Sequence, residues 1–145
     1  ICGEVRGPEA MDMLQAMNTG HDGSMCTLHA NSPREAVTRI ENMVGMAASS
    51  LPAKAVRAQI VGAVHLILQI SRMRDGVRRI THVTEIVGME GEVVTMQDLF
   101  TYEYQGEGRD GLLVGAFKAA PVRPYFMKRA AYFGLDRALL AAMQA

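Results

Sequence analysis

Residues 3–44 read GEVRGPEAMDMLQAMNTGHDGSMCTLHANSPREAVTRIENMV, and the order of elements in this stretch decides the fold. Ile1 to Val5 has the apolar character of the end of a buried strand. Arg6-Gly7-Pro8-Glu9 then begins a helix, because Pro8 suits the first turn, where its missing N–H costs nothing. Ala10, Met13, Leu14 and Met17 recur at i, i+3, i+4 and i+7 and give that helix one apolar face. Asn18-Thr19-Gly20 ends it, with Gly20 free to take the left-handed cap conformation. Ser24 to Ala30 reads as a second short strand. Ser32-Pro33-Arg34-Glu35 is a capping box with Pro at the first helical position, and the helix it opens buries Val37, Ile40 and Val44. Strand, helix, strand, helix predicts an α/β fold with a parallel sheet. Ligands in such sheets gather beyond the carboxyl ends of the strands. Glu4 and His29 both fall there.

Downstream, Pro52 opens a third helix with Ala53, Val56 and Ile60 inward. Val64, Leu66, Leu68 and Ile70 alternate with His65, Ile67, Gln69 and Ser71, which is a strand pattern. Asp75-Gly76 signals a hairpin turn, with Val77 to Val87 as the partner strand. Glu90-Gly91 marks another turn, and Glu92 to Met96 extends the sheet. Residues 98–105 and 112–118 read as further strands around a glycine-rich loop, Gly106–Gly111. A helix runs from Pro124 to Phe133, stopped by Gly134, and a short one from Asp136 to the end.

The chain has 145 residues, 49% apolar and 21% charged, an ordinary composition for one globular domain with a real core. Its 15 basic and 15 acidic residues balance, which argues against a nucleic-acid-binding domain. No apolar run approaches the roughly 18–20 residues that span a bilayer, and no signal-peptide pattern opens the chain. Two cysteines do not make a disulfide framework and fit a reducing cytosol. The chain begins Ile1-Cys2-Gly3-Glu4, without an initiator Met and inside a strand pattern. It is expected to be the C-terminal piece of a longer polypeptide.

Two constellations carry chemistry. An acidic residue at a strand end beside a helix start, as Glu4 is, suits an NTPase carboxylate that organises Mg²⁺, through water, or positions the attacking water. Gly3 leaves room for a phosphate or metal, and Arg6 would stabilise charge on transferring oxygens. The same Glu also reads as a solvated surface residue. His21, Cys26 and His29 admit three readings. As zinc ligands their spacings, four and two intervening residues, depart from the compact pairs zinc favours. As hydrogen-bonded structural residues they need no ligand. In the third reading, His29 sits at the strand end near a γ-phosphate. His65 and His82 fall in the hairpin and read as structural, and Met11, Met13 and Met17 as fillers of core gaps.

The string from Gly3 to Val44 resembles the Walker B and histidine-box region of the type II and type IV secretion ATPases, in particular the CpaF branch, the TadA-type ATPases of tight-adherence (Flp) pili. The resemblance continues through LPAKAVRAQIVGAVHLILQISRMRDGVRRITHVTEIVGMEGEVVTMQDLFTYE to about residue 104, and RPYFMKRAAYFGL looks like the family's terminal helix. It implies the C-terminal part of a RecA-like P-loop NTPase core, parallel strands with helices, then antiparallel strands and a C-terminal helix. Residues 1–105 would be the partial ATPase domain and 106–145 a strand and helical extension. It further implies a cytoplasmic, hexameric motor that hydrolyses ATP with Mg²⁺ to drive pilus assembly or secretion, docked through partners on an inner-membrane platform protein. Arg123, Lys128, Arg129 and Arg137 would be either a solvated face or part of that docking surface. By the same resemblance Glu4 is the Walker B acid acting on Mg²⁺ or the attacking water, His29 the γ-phosphate sensor, His21 a weaker candidate, and Arg6 a family position of less defined role. Gly3, Glu4 and His29 would contact the nucleotide. The phosphate-cradling string G-x-x-x-x-G-K-[ST] does not occur in these 145 residues, so this piece alone is expected to be inactive. The alternative is a non-catalytic oligomerisation or scaffold module derived from the same family.

Overall fold

A computed structural model describes residues 1–144. The chain is mixed α/β and divides into two compact units, residues 1–65 with 86–95 and residues 66–85 with 96–145. Three helices build the first unit: α1 (Ala10–Asn18), α2 (Pro33–Ala47) and α3 (Ala53–Ala63). Their apolar stripes face one another. Leu14, Val37, Ile40, Met43, Val44, Val56 and Ile60 are buried, with Val5, Ile86 and Val94 closing the same core. Gly20, at φ +87°, follows the end of α1.

The start of α2 shows how local chemistry sets an element. The Ser32 hydroxyl accepts from the Glu35 N–H at 3.1 Å. The Glu35 carboxylate reaches back to the Asn31 N–H at 2.9 Å. The reciprocal bond thus lands one residue earlier than in the standard capping box. Arg57 of α3 bonds Glu41 of α2 and the Glu92 carbonyl at 2.9 Å, tying two helices to the turn after Glu90.

The segments expected as parallel strands, 1–5 and 24–30, run side by side in the same direction but form no regular strand. The Cys2 N–H donates to the Met25 carbonyl at 2.8 Å, and the Val5 N–H to the Thr27 carbonyl at 2.9 Å. One segment advances three residues between these bonds and the other two, so the even repeat of a parallel ladder is broken. Between them the Thr27 hydroxyl, a side chain, bonds the Gly3 carbonyl.

A four-stranded antiparallel sheet follows, in the order β1 (Leu66–Arg72), β2 (Arg78–Glu90), β3 (Val93–Glu107), β4 (Leu113–Ala119). The expected strands at 92–96 and 98–105 are one continuous β3. The strands β2 and β3 each supply residues to both units. The Asp75-Gly76 turn forms as expected, with Gly76 at φ +82°. Helices α4 (Met127–Tyr132) and α5 (Asp136–Gln144) complete the second unit. Gly134, at φ +72°, separates them as its position predicts. The expected run of the last helix to Ala145 extends one residue outside the described residues.

The alternation in β1 is inverted relative to a core-facing strand. Leu68 and Ile70 are 55% and 58% exposed, while Gln69 is buried. The polar residues on the inside of this unit carry partners that an apolar pattern does not reveal. The Thr84 hydroxyl donates to Asp98 at 2.6 Å. The Glu85 carboxylate, in a residue 2% exposed, accepts from Gln97 Nε2 at 2.8 Å and from the backbone N–H groups of Tyr125 and Phe126 at 3.0 and 2.9 Å. It thereby fixes the chain at the start of α4.

Candidate functional site

The loop from Gly3 to Gly7 leads into α1, and the segment Cys26–Ala30 leads into α2. Their side-by-side course brings Glu4, Arg6 and His29 together. The Glu4 Oε2 atom pairs with Arg6 Nη2 at 2.6 Å. Glu4 Oε1 forms an ion pair with His29 Nε2 at 2.7 Å, and this buried oxygen has no further partner. The Arg6 hydrogen bond, and then the positive charges of Arg6 and His29, hold the Glu4 carboxyl below its usual value against the opposing effect of burial. The same pairing raises the Arg6 guanidinium. Glu4 is the sheltered partner, its side chain 24% exposed against 82% for His29.

Gly3 sits next to this cluster, and a Cβ built there would meet open space. His21 is elsewhere. Its Nδ1 donates to the Ala16 carbonyl at 3.2 Å, closing the last turn of α1. A pocket of about 300 Å³ opens beside His29, lined by Asn31, Arg34, Thr38 and Arg39 among others. Arg34 is committed to the Val94 carbonyl at 2.6 Å; Arg39 is exposed at the pocket wall.

Two supporting residues escaped the reading of the sequence. The Glu9 carboxylate accepts from the Arg6 and Gly7 N–H groups at 2.8 and 3.2 Å, which depresses its pKa and fixes the loop that presents Glu4 and Arg6. The signal is an acid three residues after Arg6, at the helix start. Thr27 pins the Gly3 carbonyl, and its place two residues before His29 is the only trace in the sequence.

Among the described residues no group of three or more His, Cys, Asp or Glu side chains is gathered to hold a metal ion. His21, Cys26 and His29 therefore do not form a zinc site there. Glu4 Oε1, which has no hydrogen-bond partner, and the open space at Gly3 fit an outer contact, carboxylate to metal-bound water.

The profile of the type II/IV secretion system protein family matches residues 1–104. This chain belongs to that family. Within the secretion family's neighbourhood, a putative conjugal transfer protein of Mycobacterium tuberculosis is 40% identical over 93 residues, covering 64% of this chain and 26% of that protein. The conjugal transfer protein TrbB of Rhizobium radiobacter is 37% identical over 92 residues, covering 63% and 26%. An uncharacterized protein of Methanocaldococcus jannaschii is 29% identical over 116 residues, covering 74% and 40%. The chain thus spans about a quarter of the length of the conjugal transfer relatives. No helix among the described residues is long and apolar enough to cross a membrane.

Proposed function

We propose that this chain supplies the carboxylate-and-histidine side of an ATP site in a motor ATPase of the type II/IV secretion family, and that the complete site forms in a longer polypeptide carrying the phosphate loop. The observation that carries this reading is the Glu4 carboxylate held between Arg6 and His29, at 2.6 and 2.7 Å. Glu4 is ionised at neutral pH because its pKa lies below the ordinary carboxylate value. With one oxygen on Arg6 and the other against His29, it is suited to accept a proton or hydrogen bond from water at a nucleotide's terminal phosphate. Magnesium bound with the nucleotide would supply charge neutralisation, and Glu4 would hold it through water. His29 would donate to a terminal phosphate oxygen, and Arg6 would neutralise charge that develops there. His21, engaged with α1, has a structural part. Alone, the 145 residues hydrolyse no ATP.

The finer reading places the parent in the CpaF/TadA branch, as a cytoplasmic hexamer that meets an inner-membrane platform protein and drives assembly of a tight-adherence pilus. The conjugal transfer names of the relatives at 40% and 37% identity favour export of a cargo as the alternative task of the same motor. The test uses the parent polypeptide. Glu4→Gln should retain nucleotide binding and lose phosphate release. Wild-type turnover in both Glu4→Gln and His29→Ala would refute the site and leave the scaffold reading.

A further inference from the structure

Cys2 and Cys26 are the chain's two cysteines, and both are half-buried free thiols. Their positions are related by the backbone. The Cys2 N–H donates to the carbonyl of Met25 at 2.8 Å. Between parallel segments, an amide that bonds the carbonyl just before a given residue sets its own residue opposite that one. Cys2 therefore stands opposite Cys26. Hydrogen-bonded neighbours of this kind lie about 4.7–4.9 Å apart, inside the roughly 4.4–6.8 Å between Cα atoms that a disulfide spans without moving the backbone. Side chains of opposed residues also share a face. The Thr27 hydroxyl on the Gly3 carbonyl and the Val5 N–H on the Thr27 carbonyl keep the two segments together beyond this pair, although the register slips by one residue there.

We propose that Cys2 and Cys26 form a reversible disulfide when the chain meets a low-molecular-weight disulfide oxidant such as glutathione disulfide, clamping the segment that carries Glu4 to the segment that carries His29. The exchange balances. The Cys2 thiol loses its proton and attacks one sulfur of the oxidant. The oxidant's S–S bond breaks, and one glutathione leaves as its thiol. The Cys26 thiol then loses its proton and attacks the Cys2 sulfur of the mixed disulfide, and the second glutathione leaves as thiol. Two electrons and two protons pass from the cysteine pair to the oxidant.

The surroundings suit a bond that forms slowly and then persists. Burial first, and then a hydrogen bond with Cys2 and the charge of ionised Cys2, push the Cys26 thiol up to about 11. Strongly oxidising disulfides owe their potential to a stabilised reduced form; here the Cys26 thiolate is disfavoured. Cys2 is two residues from Glu4 and Cys26 three from His29, so the clamp joins the same two segments as the carboxylate–imidazole contact. The inference stands apart from the nucleotide reading, because its readout is the crosslink itself.

The test exposes the 145-residue chain to glutathione disulfide, quenches with iodoacetamide and maps peptides by mass spectrometry. Monomer that has lost both alkylatable thiols, with Cys2 joined to Cys26 and reopened by dithiothreitol, is the expected product. Closure should be at least about tenfold faster in the folded chain than in urea, since folding supplies the proximity. Cys26→Ser should instead accumulate a glutathione adduct on Cys2. Equal rates in buffer and urea, thiols that stay alkylatable, separate adducts on each cysteine, or crosslinks only between chains would each overturn the proposal. The buffer-against-urea comparison uses wild-type chain and does not depend on the variant folding.

Discussion

Glu4 Oε1 and His29 Nε2 stand 2.7 Å apart on two segments that run side by side without a regular ladder. The contact joins residues from the loops that lead into successive helices. Arg6 on the other carboxylate oxygen keeps the acid ionised. In the parent polypeptide, Glu4→Gln is expected to lower kcat by about 100-fold or more, the usual range for a positioned acid–base group, with nucleotide affinity little changed. Phosphate-release kinetics alongside equilibrium nucleotide binding would separate the two effects.

Arg6→Ala should raise the Glu4 carboxyl towards its ordinary value of 4.5, because the Arg6 hydrogen bond is the largest influence lowering it. NMR titration of the Glu4 side chain reads this directly. An unchanged midpoint would mean that Arg6 is not bound to Glu4 in solution.

Asp75 predicts an acid limit for the second unit. Its side chain is 2% exposed and grips Arg79 through two bonds of 2.9 and 2.7 Å. The same carboxylate accepts from the Leu113 N–H at 2.8 Å and the Val77 N–H at 3.1 Å. The Arg79 bond, helped by the two amides, holds the carboxyl well below its ordinary 3.8 despite burial. A folded pKa below the unfolded one gives stability that is complete above the unfolded value and is lost as pH falls towards the folded value. Thermal midpoints should therefore decline below about pH 4, and the decline should be shallower in Asp75→Asn. That variant should also melt earlier than wild type at pH 7.

Glu85 holds the approach to α4. Replacing it with Ala orphans the Tyr125 and Phe126 amides and removes one of two acceptors of Gln97 Nε2, and should cost about 2 kcal/mol or more. Urea unfolding measures the loss. Hydrogen exchange should show faster exchange at Tyr125 and Phe126 than at α2, and equal protection in the variant would count against the assigned role.

Gly115 pairs with Tyr104 across β3 and β4. A Cβ there would overlap the Glu103 carbonyl and the Tyr102 ring, one of them backbone that cannot swing away. Gly115→Ala should destabilise by about 1–3 kcal/mol as overpacking. A neutral or stabilised variant, read by the same urea titration, would show that the strands part easily at this point.

The helices, the turns and the family were legible along the chain, whereas the strands expected at 1–5 and 24–30 did not form. The i, i+3, i+4 stripes, the Ser32 cap, the Asp75-Gly76 turn and the glycines at 20 and 134 depend on residues within a few positions of each other, so their chemistry is written along the chain. The ordered string from Gly3 to Val44 likewise carried the family resemblance. It also placed Glu4 and His29 at the ends of neighbouring segments. Folding alone made their side chains meet, turned His21 away to α1, and broke the ladder of the two segments at Gly3. It also inverted β1, leaving Leu68 and Ile70 outside, and buried Glu85 and Asp75 with partners about 40 residues along the chain. The physical reason is that a polar group is buried only when distant donors converge on it. No short-range period in a sequence encodes that convergence.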